Sequence, residues 1–276
     1  MARRTKLTWL AVVPALALVA AMSACGSDEA GSGGNGDGQN IELVHEGQLT
    51  TCTGLPYKPF QYEENGKVVG FDVDLVDLVA EKLNVKQVIV DTPFDSIQSG
   101  ADLNSGKCDL AAAGMTITEV REKNLDFSEP YFDATQALVA KKGSGIEDLS
   151  DLQGKKLGVQ NGTTGYDYAQ KNAKGAELVN FEDLGLLLNA VETSRVDAGI
   201  NDNGVLYDWV KEKTDFEVVT EFDTGEQYGI GVRTGNKALL DLINETLDEA
   251  KKSGEYDKIY EKWFGKKPEE GSGNSN

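Results

Sequence analysis

The chain has 276 residues, with 46 Asp+Glu against 27 Lys+Arg and a net charge of −19 at neutral pH. So acidic a surface repels phosphate backbones and anionic headgroups, which excludes nucleic acid as a partner; solubility outside a cell accounts for the charge without any macromolecular ligand. The single histidine, His45, and the lack of any paired Cys/His spacing leave neither a metal nor another cofactor to expect.

The N-terminus sets the compartment. Arg3, Arg4 and Lys6 precede an apolar run from Thr8 to Met22, and Ser23 and Ala24 lead into Cys25. A basic start, an apolar middle and small residues at the end read as a bacterial export signal over residues 1–24. The run is shorter than the roughly 20 apolar residues of a spanning helix, and no stop-transfer flank follows it. Met22-Ser23-Ala24-Cys25 resembles the lipobox of bacterial lipoproteins, which implies cleavage before Cys25, a diacylglycerol on its thiol and attachment to the outer face of the cell membrane. Residues 25–45 would then be the anchor site and a flexible tether, because Gly26 to Asn40 is almost all Gly, Ser, Asn, Asp and Ala and cannot bury a core. The tail, 266–276, reads the same way.

From residue 46 the pattern is α/β. Gln48 to Thr53 is a β-prone run closed by Gly54 and Pro56, and Gly70 to Asn84 places Phe71, Leu75, Leu78, Val79 and Leu83 on one helical stripe. Val85 to Val90 predicts a strand, Ser96 to Asn104 a helix, and Ser105-Gly106-Lys107 a turn into a strand over Cys108 to Ala113. Strands alternating with helices imply a parallel sheet covered on both faces. The grammar restarts at Lys156 to Gln160, a strand ending in Asn161-Gly162-Thr163-Thr164, with a helix over Gly165 to Ala173. The turn from helix into an Asp-headed strand at Lys107-Cys108-Asp109 recurs at Arg195-Val196-Asp197. Two α/β lobes in succession suit a ligand gripped between them, since open sheets bind at the carboxyl ends of their strands. Gln227 to Arg233 is a further β-prone run, Lys237 to Lys252 an amphipathic helix, and a last helix ends in Tyr260, Trp263 and Phe264. The expected domains are lobe 1 over 46–135 plus 226–265 and lobe 2 over 136–225, with Phe132 to Lys141 and Val218 to Gly229 as the crossing strands of a hinge. Cys52 and Cys108, an even pair in an oxidising exterior, suggest a disulfide, although one lies near the end of a predicted strand and the other at the start of another.

Along this chain lie Leu55-Pro56-Tyr57-Lys58-Pro59-Phe60, Gly70-Phe71-Asp72-Val73-Asp74-Leu75, Gly114-Met115-Thr116-Ile117-Thr118 with Arg121, Gly158-Val159-Gln160-Asn161-Gly162-Thr163-Thr164, Asn201-Asp202 and Tyr260-Glu261-Lys262-Trp263-Phe264-Gly265. This colinear series resembles the family 3 extracellular solute-binding proteins, the polar-amino-acid receptors of ABC importers. The resemblance implies a two-lobed periplasmic-binding-protein-like fold, a monomer, a free amino acid as ligand and an ABC transporter permease as partner. An amino acid brings a carboxylate and an ammonium that both lose water in a closed cleft, so each needs a charged partner. In the family's pattern Arg121 takes the carboxylate through its planar fork, with Gly114, Thr116, Thr163 and Thr164 adding hydroxyls and main-chain groups, and Asp202 takes the ammonium. Tyr57 and Phe94 match the aromatic positions that sandwich the side chain, while Phe60 and Phe71 read as core. Gly54, Gln160 and Asn201 complete the side-chain pocket; having no charge among them, they favour an uncharged polar side chain such as that of glutamine. Glutamate would need a base such as Lys58. The rival readings are a cyclohexadienyl-dehydratase-like enzyme on the same fold, which lacks a placed histidine or cysteine here, and a ligand-sensing lipoprotein.

Overall fold

The structure is a computed structural model that describes residues 41–268. The export signal, Cys25, nearly all of the tether and the end of the tail lie outside the described residues.

The first lobe opens with β1 (Gln48–Thr53), a hairpin of β2 (Tyr62–Glu64) and β3 (Lys67–Val69), α1 (Phe71–Lys82) and β4 (Lys86–Asp91). The hairpin turns at Asn65-Gly66, the dipeptide suited to a tight two-residue loop. The expected helix over Ser96 to Asn104 is two pieces, α2 (Phe94–Gln98) and α3 (Ala101–Asn104). Gly100 interrupts it with φ +76, and a Cβ there would lie 2.8 Å from the Asn124 carbonyl oxygen. Two short strands follow, β5 (Leu110–Ala111), shorter than the expected Cys108 to Ala113, and β6 (Leu125–Phe127).

The second lobe comprises β7 (Phe132–Lys141), β8 (Lys156–Gln160), α4 (Thr164–Asn172), β9 (Glu177–Phe181), α5 (Leu184–Glu192), β10 (Ala198–Asp202), α6 (Asn203–Glu212) and β11 (Phe216–Tyr228). The chain returns to the first lobe through β12 (Gly231–Arg233), α7 (Lys237–Ser253) and α8 (Glu255–Phe264). The strand orders are β4-β1-β5-β12-β6 and β11-β7-β10-β8-β9. Both sheets are mixed, which corrects the all-parallel expectation: β12 runs antiparallel to β5 and β6, and β7 antiparallel to β10 and β11. The reason is the double crossing, because a chain that leaves on β7 and comes back on β11 must lay these strands head to tail.

The repeated Asp-headed turn has one structural meaning in both lobes. Asp109 donates its N–H to the Thr50 carbonyl at 2.9 Å and accepts the Thr50 N–H at 2.7 Å. Asp197 treats Lys156 identically, at 2.8 and 2.7 Å. In each case a carboxylate clamps the start of the lobe's first parallel strand to the third. Phe60 and Phe71, both fully buried, belong to an aromatic core with Phe132, Tyr228, Tyr260 and Phe264, whose closest centroids are 4.6–6.2 Å apart. Edge-to-face contacts dominate around Phe60, the geometry that ring quadrupoles favour. This cluster seats α8 and the hinge strands on the first lobe.

Cys52 in β1 and Cys108, two residues ahead of the parallel neighbour β5, are bonded, with Cα atoms 5.6 Å apart and 56 residues apart in sequence. Closing a loop of that length restricts the unfolded chain, so the double substitution Cys52→Ser with Cys108→Ser should lower the free energy of unfolding by about 4 kcal/mol. Urea titration of the two proteins measures it; an unchanged midpoint refutes the entropic account.

Candidate functional site

A cavity of about 190 Å³ lies where the carboxyl ends of the strands of both lobes converge. The first lobe supplies Gly54, Tyr57, Phe94, Gly114, Thr116 and Arg121; the second supplies Gln160, Thr163, Thr164 and Asp202. Of the candidate ligand-binding residues, Asn201 alone is not in the lining. It sits one layer behind, where its carbonyl oxygen is 2.9 Å from the Tyr57 hydroxyl and its amide donates to Gln160 Oε1 at 3.2 Å.

Arg121 is 4% exposed, yet charged. Its Nη1 donates to the Thr116 carbonyl at 2.7 Å and its Nη2 crosses to the Gly162 carbonyl of the other lobe at 2.9 Å. The guanidinium carbon sits over the Phe94 ring, 5.1 Å from its centre, so this aromatic residue supports the arginine as well as facing the cavity. Burial pulls the guanidinium pKa down, and Asp202 and Glu226 pull it back.

Asp202 ends β10 and is also 4% exposed. Its carboxylate accepts from the Tyr57 hydroxyl at 2.8 Å, from the Tyr228 hydroxyl and from the Gln136 amide. Burial and the nearby Glu226 push its pKa up to about 6, against the three hydrogen bonds that favour the ionised form. Burial, with Asp202 beside it, raises the Tyr57 phenol well above its ordinary value, so it stays a donor.

Several candidates are already engaged. The Thr163 hydroxyl caps α4, accepting from the Tyr166 N–H at 3.1 Å and donating to the Gln160 carbonyl at 2.8 Å, so for this side chain the capping role accounts for the hydroxyl. Thr116 and Thr164 donate their hydroxyl protons to Glu226, at 2.9 and 2.8 Å. Gly114 has φ +54, and a Cβ there would lie 2.7 Å from the Tyr57 ring, so only glycine lets that ring close on the loop. Its N–H goes to the buried Asp72 carboxylate at 2.8 Å. Lys58 lies outside the lining and pairs with Glu212 at 2.7 Å and Asp208 at 3.5 Å, so it is no counter-ion for an acidic ligand.

Sequence reasoning missed two sets of residues. Gln136, Glu226 and Tyr228 stand on the hinge strands behind the cavity; nothing in a local motif connects them to Asp202. Asp91, Glu182 and Asp183 line the cavity itself. Asp91 accepts the Leu55 N–H at 3.1 Å, and Asp183 caps α5 through the Leu186 N–H at 2.7 Å. Each follows a β-prone run, and a carboxylate at the end of a strand was the available signal.

The model of the bacterial extracellular solute-binding proteins, family 3, matches residues 49–266. A probable histidine-binding protein from Neisseria gonorrhoeae is 34% identical over 268 residues, covering 94% of this chain and 96% of its own. Among solved structures, an ancestral arginine-binding protein bound to arginine is 47% identical with a TM-score of 0.75, covering 79% of this chain and 99% of that one. The ancestral amino-acid-binding protein AncCDT-1, a precursor of cyclohexadienyl dehydratase, is 37% identical with a TM-score of 0.73, over 79% of this chain and 96% of that one.

The two buried charges face a cavity that an amino acid would fill with the opposite pair. Arg121→Ala or Asp202→Ala should each weaken amino-acid binding by on the order of 2 to 5 kcal/mol while the melting curve stays cooperative. Binding should also depend on pH with a definite sign. If Asp202 is the ammonium's counter-ion, as the sequence leads one to expect, its protonation below about pH 6 would remove that charge, so affinity should fall on acidification by up to about tenfold per pH unit. Arg121, Glu226, Tyr57 and Tyr228 are the charged or titratable groups acting on it. Calorimetry between pH 8 and pH 5 checks this; a flat profile, or alanine variants with unchanged affinity, removes the assignment.

Proposed function

We propose, from the premise that this chain belongs to family 3 of the bacterial extracellular solute-binding proteins, that it captures a free amino acid with a cationic side chain, arginine foremost, for an ABC importer. Arg121 holds the α-carboxylate and Asp202 the α-ammonium. The two aromatic rings of Tyr57 and Phe94 clamp the side-chain methylenes.

The observation that carries the choice of side chain is the set of three further carboxylates, Asp91, Glu182 and Asp183, in the same lining. Arg121 and Asp202 already balance the ligand's zwitterion. The additional negative charge has no lysine or second arginine among the lining residues. A guanidinium fits it, and an anionic head is repelled. The expectation of an uncharged side chain rested on Gly54, Gln160 and Asn201; it is replaced because Asn201 is not in the lining and the three carboxylates are. Asp91 and Glu182 are exposed, so solvent screens them and each contributes modestly. Their joint effect is a preference among side chains, superimposed on the common grip at the α end. The arginine bound in one similar structure carries such a side chain, while another similar structure holds glutamine, the competitor against which the preference is to be measured.

Retention, not turnover, suits this cavity. Asp202 is held by three donors, and its charge is matched to an ammonium. Outside the cell the protein would be anchored by a lipid on Cys25 and would hand its ligand to the permease.

Calorimetry of ligand-stripped protein against the twenty amino acids should rank arginine tightest and glutamate among the weakest. Neutralising the rim with Asp91→Asn, Glu182→Gln and Asp183→Asn together should reduce the preference for arginine over glutamine at least about tenfold. Tighter binding of glutamine or glutamate than arginine by the unsubstituted protein overturns the cationic reading. Loss of the bound amino acid on prolonged incubation, followed by NMR, would instead reveal an enzyme. For the anchor, Cys25→Ser should shift the protein from the membrane fraction to the medium; a variant retained with the mass of the unsubstituted protein rules the lipid out.

A further inference from the structure

Glu226 does not line the cavity, yet it touches two residues that do and a third, Gln136, that stands behind it. One of its carboxylate oxygens, Oε2, accepts the Thr116 hydroxyl at 2.9 Å and the Thr164 hydroxyl at 2.8 Å. Thr116 belongs to the first lobe, in the loop that also carries Arg121; Thr164 opens α4 of the second. The Gln136 amide donates to both Glu226 oxygens at 3.2 Å and also to Asp202. The bulge that puts Glu226 there is visible in the strand register, where Phe222 faces Gln136 and Glu226 faces Ala134, so the longer strand arches and re-aims its side chain.

An ionised carboxylate has no proton to give, so each threonine must donate to it. A hydroxyl has one proton. With that proton directed at Glu226, the Thr116 oxygen presents only lone pairs to the cavity, and so does that of Thr164, which also accepts the Gln136 amide at 3.2 Å and keeps one lone pair over. They are then acceptors, suited to the ligand's ammonium, and not the donors to its carboxylate that a sequence reading expects. We propose that Glu226 is a positioning residue of the ammonium subsite: it orients both threonine hydroxyls as acceptors and, through one oxygen, ties the first lobe to the second. This rests on the amino-acid reading above.

Glu226→Gln tests it, because glutamine keeps the size but offers one acceptor oxygen and a donating amide. With arginine as probe, or the tightest amino acid of the twenty if arginine is not that, stopped-flow should show dissociation at least about tenfold faster and association within about threefold of the unsubstituted protein. The ratio of affinities for arginine and its analogue with a hydroxyl in place of the α-ammonium should fall at least about tenfold. A weakened hinge alone would not move that ratio. Combining Glu226→Gln with Thr164→Val should cost no more than the worse single change. Unchanged release, or faster release with an unchanged ratio, overturns the proposal. Should Glu226→Gln fail to melt cooperatively, the release rate and the affinity ratio are measured on Thr164→Val alone, and the same two outcomes overturn the proposal there. An unsubstituted protein that binds no amino acid refutes the amino-acid reading and this inference together, whereas binding that Glu226→Gln leaves untouched refutes only the inference.

Discussion

The constraint on which the rest depends is the dehydration of two opposite charges in one closed cleft. Arg121 and Asp202 are each 4% exposed, and among the described residues neither makes a direct ion pair, so hydrogen bonds to neutral groups, the Phe94 ring and longer-range charges must compensate their burial. Leaving a charge buried and unpaired is costly. The cost of dehydrating the ligand's own ends is offset only if its partners are already oriented. The surrounding polar network does this orienting: two carbonyls and a ring hold the guanidinium, and two phenols and an amide hold the carboxylate. Asp202 near pKa 6 shows that the balance is close, with burial and Glu226 on one side and three donors on the other.

A network that satisfies charges from both lobes also defines how the lobes meet. Tyr57 reaches from the first lobe to Asp202 in the second, Arg121 to the Gly162 carbonyl, and Lys58 to Glu212. The approach is close enough that a Cβ on Gly185 would lie 3.0 Å from Pro56 and one on Gly162 would lie 2.9 Å from Asp95. A side chain at either position would oblige its neighbour across the cleft to shift. Recognition and closure are therefore coupled: each of the two buried charges has one of its contacts across the lobes, Arg121 to Gly162 and Asp202 to Tyr57. The hinge strands β7 and β11, carrying Gln136 and Glu226, are where the two meet.

How much of this the sequence carries depends on the range of the interaction. Helices with a clear stripe, α1 and α7, and the strands β1 and β8 are local events and are legible to within a few residues. The broken helix at Gly100 is not, because the break answers to Asn124, more than twenty positions away in the chain. The antiparallel strands of both sheets follow from the double crossing, which no single segment reveals. At the site, ten of the eleven expected ligand residues line one cavity, and most of them stand at or next to a strand end or a helix start that local turn chemistry fixes. Asn201 fails by one position: side chains alternate across a strand, so of two adjacent polar residues at the end of β10, only Asp202 faces the cavity. Glu226 and Gln136 are illegible for a further reason. A bulge sets the aim of Glu226, and local sequence does not announce which face a bulged strand presents.

Affinity and selectivity in such a site have separate physical origins. Thr116, Arg121 and Asp202 are each 4% exposed, so their hydrogen bonds act at low effective dielectric, and on the proposed reading small displacements of them would change binding of every amino acid alike. The side-chain end is lined by Asp91 and Glu182, which remain in contact with water. Charges there attract a guanidinium weakly and over a longer range, and Gln160 between the two ends can bond an amide as readily as a guanidinium. Discrimination between cationic and neutral side chains should consequently be graded, while rejection of anionic ones should be steeper, because repulsion from three carboxylates is relieved by no base in the lining other than Arg121, which the α-carboxylate would occupy. A site built this way can change its preferred side chain by altering the rim while leaving intact the buried network that grips the α-amino acid.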